Sequence, residues 1–581
     1  MVFLAEKTVD IPSKDLLSWI FDNIPYDQDA MIYIDAADPS RSISASQARI
    51  IIRRLVAGFH AAGLKGGDCV CLHSFNDVRN SSPSKVESLS NRANADLLFH
   101  DFSRYSNLMS SHYFYFYSRH VNTGVIAAGG VFTGTNPSYT SHELTHHIKT
   151  SRAKFLIAEP EIFANVLTAA KECNIQSSNI WIFDVLGQKI PDSFKSFKDL
   201  MKHGEKDWVR FDDEETSRKT TAARLFSSGT TGPPKAAGLS HFNLVAQHVL
   251  AYEQAPRSYT IRRILALPMF HAACVPVAHT TALKGGHVSV VMRRFELIHF
   301  LNTAEKYQIN ELMVVPPIAI AIIMSGVAGD KLRSIKHAGV GAAPMGKEPQ
   351  EKLKKLFAPG ATMTQAFGMT ETSCICAQFW FWEDDTTGSV GRMLPNIDAK
   401  IIDDDGNDIT AYDVRGELCV RGPTIIAGYF ENEAANRLSF DSSNFFKTGD
   451  IVYCDSKTKT WYIVDRKKEL IKVRGFQVAP PEIESVLLSH PLIVDAAVIG
   501  VKGSDSDGEM PRAYVVKRPG EESKNLKEKD VKEWCGERLA RYKELTGGVK
   551  FVEAIPKNAS GKILKRTLRE QADKEGKMAR L

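Results

Sequence analysis

The sequence contains no apolar stretch long enough to cross a membrane and no evident secretory leader. No run of about 20 apolar residues occurs in its 581 residues, so no transmembrane helix is expected. Residues 1–7 (MVFLAEK) lack the charged start and apolar core of a signal peptide. These absences argue against a membrane-spanning or secreted protein.

A strong charge imbalance is also missing. Lys and Arg total 73 against 68 Asp and Glu, which gives a formal net charge of +5, and the basic residues are dispersed along the chain. Proteins that bind nucleic acids typically concentrate basic residues on one face. We therefore expect no nucleic-acid partner.

The nine cysteines form neither a zinc pattern nor a disulfide framework. Cys69 and Cys71 are two residues apart, as are Cys374 and Cys376, but neither pair has the spacing of a zinc site with a second pair nearby. Both pairs lie in apolar runs, where this spacing is typical of one face of a strand. Reduced, intracellular thiols are expected.

The pattern of apolar residues indicates an α/β protein with more than one domain. A chain of 581 residues exceeds one ordinary core. Residues 44–63 have the apolar stripe of a capped amphipathic helix. Short apolar runs alternate with helical patterns, which favours largely parallel sheets. The strand-like runs are 67–72, 154–158, 180–183 and 311–315.

A change of pattern near residues 465–468 predicts a domain boundary. Upstream, residues 461–464 have the character of a strand. Downstream, Pro480 and Pro481 open a predicted helix, and two further strands and a helix over 527–541 follow. We assign residues 1–464 to a large N-terminal domain of mixed sheets with flanking helices, and residues 465–581 to a small, mobile α+β domain.

The most informative segment is the loop at residues 225–235 (LFSSGTTGPPK). Glycines let backbone N–H groups approach an anion, Ser and Thr add hydroxyl donors, and Lys adds a mobile positive charge. The spacing of a Walker loop is absent. The segment therefore predicts a different polyphosphate site, formed by Ser227, Ser228, Gly229, Thr230, Thr231, Gly232 and Lys235.

This loop resembles the signature loop of the adenylate-forming superfamily, which includes acyl-CoA ligases, firefly-type luciferases and the adenylation domains of peptide synthetases. Further motifs follow in the same order, so the resemblance extends from about residue 30 to 566, apart from residues 78–123. Residues 129–137 (GGVFTGTNP) and 475–480 (GFQVAP) are most similar to 4-coumarate:CoA ligase-like enzymes. The resemblance implies ATP, Mg²⁺, coenzyme A and a small carboxylic acid as reactants.

The resemblance also implies which residues bind the nucleotide and its metal. Small residues at 341–343 leave room for a flat ring, and Phe367 offers a face for stacking. Asp450 and Arg466 would hold the ribose, and Glu371 would supply a hard oxygen ligand to Mg²⁺. The other expected members are Gly341, Ala342, Ala343, Gln365, Ala366, Gly368 and Thr370.

The resemblance also implies four residues that serve the chemical steps, namely Lys562, Lys472, Gln477 and His271. Lys562, in the segment 556–566 (PKNASGKILKR), would bridge the attacking carboxylate and the α-phosphate. The small domain would then turn about residues 465–468 and bring another face to the site, formed by Lys472, Gly475, Phe476 and Gln477. His271 would lie at the acyl pocket and the pantetheine tunnel, and the small Ala272 and Ala273 beside it suggest a roomy acyl pocket.

Residues 78–123 depart from the family. The segment is rich in Ser, Asn and Arg, has no steady period and ends in an aromatic run. Family members have a short apolar helix in this gap, leading into the equivalent of residues 124–130, and its apolar face is expected to be missing here. Pyrimidine-rich codons for Phe, Tyr and Ser suggest a translated intron. A genuine surface insertion is the alternative.

The sequence thus predicts an enzyme that activates an acid with ATP and transfers the acyl group to coenzyme A. Luciferase-like oxygenation, loading of a carrier protein and an inactive product of a mis-spliced gene remain alternatives. Phenylpropenoic, fatty and secondary-metabolite acids all remain open as substrates. The last three residues, Ala579, Arg580 and Leu581, are a variant of a peroxisomal address. We therefore expect recognition by the peroxisomal import receptor and a peroxisomal location, with the cytoplasm as the alternative.

Overall fold

The computed structural model describes residues 2–75, 117–184, 187–227, 233–473, 476–502, 509–558 and 561–578. The phosphate-loop residues 228–232, Gly475 and the terminal tripeptide 579–581 lie outside this part of the chain. The expectations placed on them remain predictions. No helix of the described ranges is both long and apolar enough to span a bilayer.

Helices are distributed over the whole described chain. They are α1 (Leu16–Phe21), α2 (Ala45–Ala61), α3 (Tyr117–Ala127), α4 (Ser141–Ser151), α5 (Phe163–Glu172), α6 (Glu214–Lys219), α7 (His241–His248), α8 (Ala282–Gly285), α9 (Leu297–Lys306), α10 (Pro316–Ser325), α11 (Lys347–Lys354), α12 (Glu433–Ser439), α13 (Pro480–Leu488), α14 (Glu521–Lys524), α15 (Glu528–Gly536) and α16 (Lys565–Met578).

Strands alternate with these helices, as the sequence pattern predicts. They are β1 (Met31–Asp35), β2 (Ser42–Ser44), β3 (Cys69–His73), β4 (Val131–Gly134), β5 (Ala153–Ala158), β6 (Ile180–Ile182), β7 (Lys195–Ser196), β8 (Thr221–Ser227), β9 (Lys235–Ser240), β10 (Arg262–Leu265), β11 (Val288–Val291), β12 (Glu311–Val314), β13 (His337–Val340), β14 (Thr362–Met369), β15 (Cys374–Gln378), β16 (Arg392–Met393), β17 (Asp398–Ile402), β18 (Gly416–Arg421), β19 (Phe446–Cys454), β20 (Trp461–Arg466), β21 (Ile471–Val473), β22 (Phe476–Val478), β23 (Ile493–Lys502), β24 (Glu509–Lys517) and β25 (Val549–Phe551).

The large domain is built from four sheets, of which three are mixed. Their strand orders are β7-β6-β5-β3-β4-β8-β9, β10-β11-β1-β2, β12-β13-β14-β15-β16 and β17-β18-β19-β20. The first three are parallel in their interior and end in antiparallel pairs, whereas the fourth is antiparallel throughout. The predicted α/β class with mixed sheets is confirmed.

The small domain follows β20 and has its own core. Its three-stranded sheet, in the order β23-β24-β25, packs against α13 and α15 around buried aliphatic side chains. The predicted helix from Pro480 to Leu488 is α13. The last predicted helix is shorter than expected, because α15 ends at Gly536, a poor helix former, and a single 3₁₀ turn follows at Arg541–Lys543. The boundary at 464/465 remains a prediction.

The predicted helix at residues 44–63 is α2, and its apolar face is buried. Ser44 caps it with a reciprocal capping box to Gln47. Its apolar stripe, which includes Ile52, Leu55 and Val56, is fully buried. This stripe packs on α3.

Helix α3 covers the end of the anomalous segment and continues to Ala127. Among the described side chains of this helix before residue 124, Val121 is the only buried apolar one, and the buried Val125 lies beyond the segment. The expected loss of the apolar face before residue 124 therefore stays a prediction. A Cβ at Gly124 would lie 2.7 Å from Leu55 Cδ1, so the small residue allows close packing on α2. The helix escaped prediction because polar His120, Asn122 and Thr123 are buried beside the apolar residues. Residues 76–116 lie outside the described ranges, so their origin remains a prediction.

The contact of α2 with α3 gives a stability prediction. Leu55→Ala removes buried methyl groups opposite Gly124 and should lower the free energy of unfolding by about 2–5 kcal/mol. Ile50 is 42 % exposed on the same helix, so Ile50→Ala should change it by about 0.5 kcal/mol or less. Urea denaturation followed by tryptophan fluorescence measures both variants, and equal losses would contradict this packing.

Candidate active site

A cavity of about 960 Å³ lies between the large and the small domain. Its volume is in the range of small-molecule sites. The large domain contributes α10, the loop after β13, and residues of β14, β19 and β20. The small domain contributes α13, the start of β23 and the loop before α16. The predicted residues that line it are Ala342, Ala343, Gln365, Ala366, Phe367, Gly368, Asp450, Arg466 and Lys562.

Two adjacent parallel strands form the wall expected to hold the base. The loop after β13 contains Ala342, whose backbone has a positive φ of 70°, a conformation that is uncommon for a residue with a Cβ atom. Gln365 on β14 fixes this loop, because its amide group donates to the Met345 carbonyl at 2.9 Å and accepts from the Met345 N–H at 2.8 Å. Phe367 is half-buried on the same strand and faces the cavity. Gly341 lies just behind this wall.

The opposite wall carries a buried carboxylate beside a guanidinium. Asp450 on β19 is paired in register with Arg466 on β20, and Arg466 Nε lies 3.4 Å from Asp450 Oδ1. Burial raises the pKa of Asp450 to about 6, although Arg466 opposes the shift. A carboxylate that lacks full neutralisation is suited to accept two ribose hydroxyl groups.

Lys235 and Glu371 come together around Tyr429, which the sequence reasoning missed. Strand pairing sets Lys235 opposite Ser227 at the mouth of the predicted phosphate loop. The ammonium group of Lys235 lies 5.1 Å from the centre of the Tyr429 ring, and the Tyr429 hydroxyl donates to Glu371 Oε1 at 2.7 Å. Burial beside Glu371 raises the pKa of Tyr429, so the hydroxyl stays a donor.

The acidic residues near the phosphate loop fit Mg²⁺ only in the company of phosphate oxygens. Among the described residues, no group of three or more His, Cys, Asp or Glu side chains could hold a metal ion by itself. Glu371 is buried, and Mg²⁺ in nucleotide sites is typically bound by one or two carboxylates together with phosphates and water. Glu371, next to Thr370, could therefore hold one side of a nucleotide-bound Mg²⁺.

Lys562 reaches the cavity on a tight loop of the small domain. Its backbone N–H donates to Asn558 Oδ1 at 2.9 Å, and the Leu564 N–H donates to the Pro556 carbonyl at 2.8 Å. Gly561 has a φ of 81°, and a Cβ there would lie 3.0 Å from Pro317 of the large domain. The glycine thus permits both the turn and the close approach of the two domains.

The structure does not bring Lys472 to the cavity. Lys472 is exposed on β21, paired in register with Gln477 on β22. For Phe476 and Gln477 only the backbone is described. Lys562 and Lys472 therefore do not face the cavity together in this arrangement of the domains.

His271 lies behind the cavity wall and not in it. Its Nδ1 accepts the N–H of Ala273 at 3.2 Å, and burial lowers its pKa, so the ring is neutral. The Cys374 thiol donates to the Ala273 carbonyl at 3.6 Å. Gly368, which lines the cavity, packs directly on the Cys374 carbonyl. The segment 268–274 is thus separated from the cavity by one layer of backbone.

Comparison with known proteins gives the family. The family described as "AMP-binding enzyme" matches residues 120–430, and the "AMP-binding enzyme C-terminal domain" matches residues 482–562. The chain belongs to the AMP-binding enzyme family. This AMP-binding enzyme is 47% identical to a phenylacetyl-CoA ligase (epaB) of Aspergillus niger, over 99% of the chain and 100% of the relative.

Two further comparisons agree. A probable 4-coumarate–CoA ligase of Dictyostelium discoideum is 35% identical over 77% of this chain and 82% of its own length. The crystal structure of ATP-bound MatB from Rhodopseudomonas palustris has the same fold, with a TM-score of 0.78 at 24% identity over 96% of this chain and 98% of that chain. The resemblance drawn from the sequence motifs is confirmed.

The raised pKa of Asp450 predicts that nucleotide binding depends on pH. Because the group binds a proton below about pH 6, the carboxylate expected to accept ribose hydroxyls is lost as the pH falls through that value. Asp450→Asn should weaken ATP binding about tenfold at pH 7.5 and remove this dependence. Isothermal titration calorimetry from pH 5 to 8 gives the dissociation constant of ATP for Asp450→Asn and for the wild type. In the ratio of the variant's constant to that of the wild type, the titration of ATP itself cancels. The ratio should shrink below pH 6, and a constant ratio would exclude a role for Asp450 ionisation.

Proposed function

We propose that this AMP-binding enzyme, an ATP-dependent acid–thiol ligase, uses Lys562 to form an acyl-adenylate and then passes the acyl group to coenzyme A without it. The observation that supports this assignment most is the position of Lys562. It lines, from the small domain, the same cavity that Asp450 and Arg466 line from the large domain.

In the first step, a carboxylate oxygen of the acid bonds to the α-phosphorus of ATP while the bond to pyrophosphate breaks. Negative charge develops on the oxygens around that phosphorus, and the ammonium group of Lys562 would stabilise it. Lys235 would bind the leaving pyrophosphate. Mg²⁺, held in part by Glu371, would neutralise phosphate charge.

The nucleoside would be held by the two cavity walls described above. Phe367 offers its ring for stacking against adenine, and the small side chains of Ala342 and Ala343 leave room for the base. Asp450 would accept the ribose hydroxyl groups, and the neighbouring Arg466 would favour the ionised form of Asp450. These contacts would hold the α-phosphorus at a fixed position for attack.

In the second step, the coenzyme A thiol attacks the adenylate carbonyl and AMP leaves with the electron pair of the broken C–O bond. We assign Lys472 and Gln477 to this step, after a turn of the small domain about residues 465–468. Lys472 is exposed in the present arrangement, which leaves it available for such a contact. Neutral His271 lies behind the cavity wall, so it would meet the acyl group and the thiol entry only where the acyl pocket extends behind that wall.

The two-step assignment predicts a split between half-reactions. Lys562→Ala should slow acid-dependent ATP–pyrophosphate exchange by about 100- to 1000-fold, yet leave thioester formation from a supplied acyl-adenylate within about twofold. The control is Lys529→Ala, which removes a lysine with a side chain 82% exposed on the same domain. Equal losses in both half-reactions would refute the assignment.

The acid is proposed to be an apolar monocarboxylic acid with an aromatic ring. The segment that carries His271 has small residues, Ala272 and Ala273, one layer of backbone behind the cavity. Met269 of the same segment belongs to a buried apolar cluster whose other members are Leu265, Val277, Ala278 and Val291. The name of the Aspergillus relative, a phenylacetyl-CoA ligase, points in the same direction.

This substrate class can be tested with a panel of acids. Pyrophosphate release should be fastest, in kcat/KM, with phenylacetate or 4-coumarate, and at least about 100-fold slower with malonate, because a second carboxylate would be buried without a partner. Octanoate, which has no ring, tests whether an aromatic ring is required. Nicotinate tests whether a polar ring is accepted. Preference for malonate would contradict the proposal. Turnover only with a carrier protein, and not with coenzyme A, would contradict the ligase assignment itself.

A further inference from the structure

Lys565 is a buried lysine three residues after Lys562, and none of the steps above uses it. It is the first residue of α16 and only 5% exposed. Its ammonium group lies 3.0 Å from Glu484 Oε1 and 3.8 Å from Glu469 Oε2. A lysine this deeply buried is retained only where it is paired.

The acidic residues around Lys565 come from the small domain and from the connection between the domains. Glu484 belongs to α13, and its Oε1 also accepts the N–H of Val498, so it is fixed within the small domain. Glu469 and Asp465 belong to the segment that leaves the large domain at the end of β20. One cation thus serves acidic residues of the small domain and of the connection.

In the described part of the chain, the acidic residues of the connection, Asp465 and Glu469, have little positive charge near them apart from Lys565. Asp465 Oδ2 has no hydrogen-bond partner among the described residues. The pKa of Asp465 is raised to about 7. Burial is the main cause, the charges of Glu469 and Glu484 add to it, and the charge of Lys565 acts against it. Without Lys565, three neighbouring carboxyl groups would remain with no cation between them.

Lys565 also closes the loop that carries Lys562. The loop is fixed at its start by Lys557, whose ammonium group donates to Asp495 Oδ2 at 2.6 Å. At its end, Lys565 ties it to the interdomain connection. A second contact, from Arg569 Nη2 to the Lys468 carbonyl at 3.4 Å, joins α16 to the same connection.

We propose that Lys565 is a positioning residue: by pairing with Glu484 and with Glu469 of the connection, and by offsetting the charge of nearby Asp465, it holds the domain arrangement in which Lys562 faces the cavity. The inference builds on the function proposed for Lys562. It predicts that Lys565 supports adenylate formation and is dispensable for the thioester step, in which Lys562 has moved away.

The test compares Lys565→Met and Lys565→Arg with Arg566→Met in the full-length protein. Arg566 is the next residue along α16, and it is exposed and paired only one turn away, with Glu570. Two readouts are needed: the rates of the two half-reactions, and the rate at which trypsin cuts the native protein at Arg466, Lys467 or Lys468. The proteolysis readout requires no substrate.

Lys565→Met should lower the kcat of acid-dependent ATP–pyrophosphate exchange about 100-fold, with the KM for ATP within about twofold. Thioester formation from a supplied acyl-adenylate should stay within about threefold. Tryptic cleavage of the connection should be at least about tenfold faster. Lys565→Arg should recover most of the exchange rate, and Arg566→Met should match the wild type in both readouts.

Equal loss of both half-reactions, or a cleavage rate for Lys565→Met that matches Arg566→Met, would overturn the proposal. If Lys565→Met does not fold, Glu469→Gln replaces it, since this change leaves Lys565 paired with Glu484. It should shift both readouts in the same direction by a smaller factor, and no shift would count against the proposal. If no acid supports exchange in the wild type, the proposed function fails, while the cleavage rates still decide the role of Lys565.

Discussion

The antiparallel pairing of β19 with β20 is the constraint on which the rest of the site depends. This register sets Asp450 beside Arg466 at 3.4 Å, and the same strand, β20, ends where the chain leaves the large domain. Its last two residues therefore serve different partners: Arg466 pairs with the carboxylate proposed to bind ribose, and Asp465 feels the charge of the buried Lys565 of the small domain. The proposed turn of the small domain about residues 465–468 would begin directly beside Arg466.

Charge balance explains why a lysine from a second domain is useful in this cavity. The large domain supplies buried acids near the nucleotide site, and the pKa of Asp450 is raised because Arg466 compensates its charge only in part. A triphosphate adds further negative charge. In the proposed mechanism, Lys562 brings a cation to this cavity with the small domain and leaves with the same domain once pyrophosphate has gone. The cation would then be present only for the step in which charge develops at the phosphorus.

Much of this organisation follows from sequence alone. The alternation of strands and helices, the capped helix α2 and the cavity-lining residues of β14, β19 and β20 that are predicted to bind the nucleotide are continuous patterns or motifs with a local signature. Tyr429 and the carboxylates around Lys565 were missed because they act through contacts between residues far apart in the chain. Helix α3 was missed for another reason, since polar His120 and Asn122 are buried among its apolar residues and hide its period.

The central claim is that the domain arrangement described here serves adenylate formation and that the small domain must move for the thioester step. Met324 and Arg518 touch across the two domains, with 3.4 Å between Sδ and Nη2. Cysteines at both positions, joined by a short bis-maleimide, fix this arrangement, and the single-cysteine variants are the controls. The account predicts that the cross-linked enzyme keeps acid-dependent ATP–pyrophosphate exchange and loses thioester formation. Thioester formation at the rate of the uncross-linked enzyme would contradict it.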